Sequence, residues 1–190
     1  IHGIRPDEFS RLTRSCLVTL MLVGCMVAGV SVWLVYATGL GWSFCGFSVA
    51  AYLVSGMFLL AGLKTYPHPR FGAANTVTAI RTGITCLIAG ALFEAERFMD
   101  PEMAWGLVAA AALALCLDGI DGRVARHSGT NSDFGARYDM EVDAALILCL
   151  SVLAFLLEKA GWWVMLIGAM RYLFVAGQYF DTRLRGKLAP

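Results

Sequence analysis

Residues Ser15 to Leu63 contain no charged side chain. At roughly 20 residues per crossing, such a run spans a bilayer twice, and Thr38-Gly39-Leu40-Gly41 supplies the turn between the two passes. Four more apolar segments follow. The predicted set of six lies at about 16–37, 43–63, 74–93, 103–124, 139–157 and 162–180, with edges uncertain by about two to four residues. None shows the strict alternation of a barrel strand, and a lipid-exposed span must satisfy its backbone internally, so all six are predicted helices. Ser15 is a candidate cap for the first. Pro67-His68-Pro69 separates the second from the third, Asp100-Pro101 opens the fourth, and Gly161 breaks the last hairpin. The predicted fold class is an all-α integral membrane protein with six transmembrane helices.

Composition agrees. The 190 residues are 58% hydrophobic and 15% charged, against roughly 25% charged in soluble domains. The first apolar run is too long for a signal peptide. Ile1 in place of Met indicates a processed, trimmed or partial chain. Cys16, Cys25, Cys45, Cys86, Cys116 and Cys149 all lie in apolar segments without metal-binding spacing, which reads as small buried hydrophobes rather than disulfides or a zinc site. The five tryptophans, near span ends, suit an aromatic belt.

The net charge of +1 is uninformative, but its distribution is not. If the spans alternate, Arg5, Arg11, Arg14, Lys64, Arg70, Arg123, Arg126, Arg137, Arg183, Arg185 and Lys187 share one side. Arg97 and Lys159 fall on the other, with Glu94, Glu96, Asp100, Glu102 and Glu158. The positive-inside rule then places both termini in the cytoplasm. Arg81 and Arg171 fall within spans and are expected to face a polar cavity. Residues 1–15 form a cytoplasmic or interfacial segment, either an amphipathic helix or a solvated tail.

Four acidic residues are out of place in this apolar chain. Asp118 and Asp121 are three apart and Asp139 and Asp143 four apart, so each pair shares one helix face. The first pair is predicted to end the fourth span and the second to begin the fifth, on the cytoplasmic edge. Carboxylates near lipid need neutralising. Hard oxygen donors suit Mg²⁺, Mn²⁺ or Ca²⁺, and four of them are enough to bridge two ions roughly 4 Å apart and clamp phosphoryl oxygens. Gly119, Gly122 and Gly135 allow close approach of a ligand or helix, and Arg126 offers a planar donor for phosphate or a nucleotide carbonyl. A packed hairpin of small residues would explain the glycines but not the aspartates.

The pattern Asp118-x-x-Asp121-Gly122-x-x-Ala125-Arg126, eight residues, Gly135-x-x-x-Asp139-x-x-x-Asp143 resembles the signature of the CDP-alcohol phosphotransferase family at every fixed position. Upstream, Asn75-x-x-Thr78-x-x-Arg81 is similar to the pattern on that family's first core helix. The resemblance implies an enzyme of phospholipid synthesis that moves a phosphoalcohol, commonly phosphatidyl from CDP-diacylglycerol, to an acceptor hydroxyl and releases CMP. It implies Asp118, Asp121 and Asp139 as ligands of Mg²⁺ or Mn²⁺, with Asp143 beside the two ions as general base. It also implies a CDP pocket lined by Gly122, Arg126 and Gly135, with Asn75, Thr78 and Arg81 nearby. The family's tendency to dimerise makes a homodimer a possible partner arrangement, alongside membrane lipids.

By this resemblance the chain divides into the N-terminal segment, a hairpin and linker over 16–73, and a core over 74–190. The Asn-Thr-Arg helix normally opens a six-helix core, whereas here it is the third span and three follow, so a C-terminally incomplete core is expected. Arg137 and Arg171 are candidates for holding a phosphorylated acceptor such as glycerol 3-phosphate or inositol phosphate; a pair with Glu141, Asp181 or a headgroup is the alternative for Arg171. Two other functions use intramembrane acids. A membrane prenyltransferase binds Mg²⁺-diphosphate but usually needs two separated clusters. A divalent-cation transporter would keep its carboxylates near the midplane.

Overall fold

A computed structural model describes residues 6–68, 70–128 and 132–180; the side chains of 6, 65, 121–128 and 178–180 lie outside the description. The described chain is all-helical: α1 (Pro6–Thr38), α2 (Trp42–Gly62), α3 (Ala73–Ala91), α4 (Pro101–Ser128), α5 (Asp133–Leu156) and α6 (Val164–Phe180). Two 3-10 segments, Leu63–Thr65 and Leu92–Met99, flank α3. Four stretches are long and apolar enough to cross a membrane: Asp7–Thr38, Trp42–Gly62, Ala73–Met99 and Pro101–Ile120. In α6 the apolar stretch Val164–Gly177 is shorter.

The helix order matches the six predicted segments, but their edges differ. Pro6–Arg14 continues α1 instead of forming a separate interfacial helix, and Leu12 within it is fully buried. α4 runs on to Ser128, and α5 begins at Asp133, ahead of the predicted 139. Hydropathy marks where apolar residues start, whereas a helix starts where its first amides are capped. Ser132 Oγ accepts the Gly135 N–H at 3.0 Å, and Asp133 adds a negative charge at the positive end of the helix dipole. Asp139 and Asp143 therefore sit inside α5 and not at its start.

α3 is the centre of the bundle, packed against α1, α2, α4 and α5, while α6 leans on α5. Its small residues permit this. A Cβ on Gly83 would lie 3.0 Å from Val23 Cγ1 and Val27 Cγ2, and one on Gly90 would lie 2.8 Å from the Phe44 carbonyl oxygen. Small residues let backbones approach where no hydrophobic effect drives helices together within lipid. Gly90→Val is accordingly expected to separate α3 from α2 and cost about 1–3 kcal/mol, read as a lower melting temperature in detergent. An unchanged melting temperature would show that the contact can open freely.

The two ends of the bundle differ. At one, Gly39 takes a left-handed turn (φ +71°) between α1 and α2. Arg97 donates to the carbonyls of Thr38 and Gly39, both at 3.0 Å, and the Ser43 hydroxyl donates to Glu94, tying the kinked segment after α3 to this turn. Trp33, Trp42, Trp105, Trp162 and Trp163 are all exposed around this end, where amphipathic rings suit a membrane interface. Cys16 and Cys86 are buried as expected. Cys25 and Cys116 are instead on exposed helix faces: short apolar side chains are as stable against lipid as in a core.

Candidate metal and nucleotide site

The aspartates lie at the opposite end, where α3, α4 and α5 converge. Asp118 comes from α4, and Asp139 and Asp143 from adjacent turns of one α5 face. One carboxylate oxygen from each lies within 4.8 Å of the others. Their side chains are 45%, 36% and 39% exposed, so the group is open on one side. The donor set is all hard oxygen, half-buried and carried by two helices, which fits a divalent cation such as Mg²⁺ or Mn²⁺. Asp121 is on α4, one turn beyond Asp118, but its side chain, like Gly122 and the side chain of Arg126, is outside the described residues.

Arg81 closes the site from below. Its side chain is fully buried on α3 and donates to both Asp139 and Asp143, with Asp118 Oδ1 3.1 Å from Nη1. A buried guanidinium is costly unless paired, and here three carboxylates pair it. The sequence placed Arg81 in a span facing a polar cavity; its position against all three aspartates requires the fold.

Thr78 and Asn75 are buried about one and two turns nearer the start of α3. Gly135 on α5 approaches Asn75 so closely that a Cβ there would lie 2.9 Å from Asn75 Oδ1. Gly135 thus leaves space for the Asn75 amide. Four further residues brace this wall without any motif to mark them. Tyr66 in the linker accepts the Gly72 N–H at 3.3 Å and packs edge-on to Phe134 at 5.4 Å between ring centres. Burial pushes the Tyr66 hydroxyl above its ordinary range, partly opposed by hydrogen bonds with Gly72 and Asn75. Tyr138 and Thr82 share a hydroxyl hydrogen bond of 2.7 Å between α5 and α3. Aromatic and hydroxyl residues are common in apolar helices, so only their cross-helix partners reveal this role.

The acceptor candidates lie on α5 and α6. Arg137 is exposed. Arg171 on α6 pairs with Glu141, two residues from both Asp139 and Asp143 and so on the opposite face of α5. A cavity of about 410 Å³ between α1 and α2, lined by residues such as Leu17, Gly24, Tyr52 and Gly56, is apolar and contains none of the predicted site residues.

Comparison with known proteins extends these observations. Residues 71–188 match the family profile described as CDP-alcohol phosphatidyltransferase. Curated relatives from Mycobacterium bovis and Mycobacterium tuberculosis, each named CDP-diacylglycerol--serine O-phosphatidyltransferase, are 36% identical over 114 residues. That alignment covers 56% of this chain and 36% of each relative, so the chain matches little more than a third of their length. No solved structure matches. The profile begins at the linker before α3, takes in α3 to α6 and covers more than half of the chain, which makes this protein a member of the CDP-alcohol phosphatidyltransferase family.

Proposed function

We propose that the protein transfers a phosphoalcohol, phosphatidyl from CDP-diacylglycerol being the leading candidate, to an acceptor alcohol with release of CMP. The observation that carries this reading is the convergence of Asp118, Asp139 and Asp143 in a chain of this family. In this reading all six helices cross the membrane, and the positive-inside distribution supports placing both termini and the acidic end in the cytoplasm, as in a bacterial inner membrane. The site then meets a water-soluble nucleotide head joined to lipid tails.

In this reading Asp118, Asp121, Asp139 and Asp143 hold two divalent ions, which supply charge neutralisation of the diphosphate and of the phosphoryl group under attack. Asn75, Thr78, Gly122, Arg126 and Gly135 frame the cytidine and its phosphates, with Arg81 at the junction between nucleotide and carboxylates. Asp143 accepts the proton of the acceptor hydroxyl as its oxygen bonds to the lipid-bearing phosphorus. The bond from that phosphorus to the CMP oxygen breaks, and CMP leaves with the electron pair. Arg137 remains a candidate for orienting a phosphorylated acceptor, and Arg171 would need to leave Glu141 to do so.

The test uses the purified chain in detergent with CDP-diacylglycerol, Mg²⁺ or Mn²⁺, and a panel of serine, glycerol 3-phosphate, inositol and inositol phosphate. Serine goes first because the curated relatives carry that acceptor in their names. Metal-dependent CMP release with one acceptor is expected. Absence of both CMP release and CDP-alcohol binding would remove the basis for the proposal.

A further inference from the structure

We infer that Arg81 is a built-in cation of the acidic site: it holds the three carboxylates together without a divalent ion and weakens the binding of one. The inference rests on the metal-site reading above and concerns how that site is tuned. Arg81 acts here through the carboxylates, as a positioning residue, in addition to its place beside the nucleotide.

The geometry has a direction. Arg81 is fully buried, whereas Asp118, Asp139 and Asp143 are each more than a third exposed, so the carboxylates lie between the guanidinium and the open side. α3 packs on both α4 and α5, and Arg81 is its link to Asp118 on the one and to Asp139 and Asp143 on the other. Three carboxylates this close repel one another. A planar donor with several N–H groups can satisfy all of them at once, which a lysine ammonium on a flexible stem does less well. The same positive charge opposes a divalent ion arriving from the open side. Arg81 therefore keeps the aspartates in place before metal arrives, and metal binding replaces part of its attraction instead of creating the site.

Mn²⁺ binding, followed by electron paramagnetic resonance without substrate, separates this role from nucleotide binding. Arg81→Gln removes the charge and most of the hydrogen bonds. It is expected to bind Mn²⁺ about tenfold or more tightly, to melt at a lower temperature without metal, and to gain more from saturating Mn²⁺ than the unmodified protein. Arg81→Lys keeps the charge and is expected to stay within about threefold of the original Mn²⁺ affinity, with a smaller loss in melting temperature. If Arg81→Gln folds only when Mn²⁺ is present, the role as resident counterion is upheld in its strongest form. Unchanged or weaker Mn²⁺ affinity, or failure to fold even in saturating Mn²⁺, overturns the inference. Unchanged Mn²⁺ affinity with weakened CMP binding would assign Arg81 to the nucleotide. If the unmodified protein binds no Mn²⁺, it is the metal-site reading that fails.

Discussion

If the proposed transfer holds, Asp143→Asn is expected to lower CMP release from CDP-diacylglycerol by about 10²- to 10⁴-fold, the usual range for losing a general base. Asparagine nearly matches the shape of aspartate and retains an oxygen that can accept from Arg81, so the contact between α3 and α5 has a partner. It cannot take a proton from the acceptor hydroxyl. The loss is expected in kcat, and raising Mg²⁺ or Mn²⁺ to saturation does not restore it. Full turnover in Asp143→Asn would remove Asp143 from the proton-transfer role. Recovery at high metal would recast it as a ligand alone.

Chelation of divalent ions is expected to abolish turnover, and Asp118→Asn to raise the metal concentration needed to restore it. Asp118 is the carboxylate contributed by α4 to the described cluster, it is the most exposed of the three, and its distance to Arg81 is 3.1 Å. Removing its charge leaves Asp139 and Asp143 paired with Arg81, so the fold is expected to survive. The half-saturating Mg²⁺ concentration is expected to rise by about 10- to 100-fold, the scale on which changes around a metal shift its affinity. In contrast to Asp143→Asn, much of the activity returns at saturation. A metal titration of CMP release on both variants tells ligand from base. Turnover that persists in chelator would exclude the two-ion reading.

Much of this was legible before any fold was known. Hydropathy located six helical segments because a lipid-facing span needs a long apolar stretch. The spacing of Asp118 and Asp121, and of Asp139 and Asp143, determined that each pair shares a face, because helical periodicity is a local property. The edges of α5 were less legible, because polar residues 133–138 carry no apolar signal and the helix begins at the Ser132 cap. Arg171 was ambiguous for another reason. A lone arginine in a span shows that a partner is needed, not which one, and Glu141 is supplied by packing α6 on α5.

By itself, the sequence determined the all-helical class, the acidic motif and the kind of ion it suits, since these depend on residue type and on spacing within single helices. Only the tertiary structure decided that α3 runs through the centre and that Arg81 lies beneath carboxylates from two other helices. Arg81 and Asp143 are sixty-two residues apart, and no local period relates them. Their meeting depends on the close approach of α5 to α3, where Gly135 leaves room for Asn75, and close approach across helices is a property of packing.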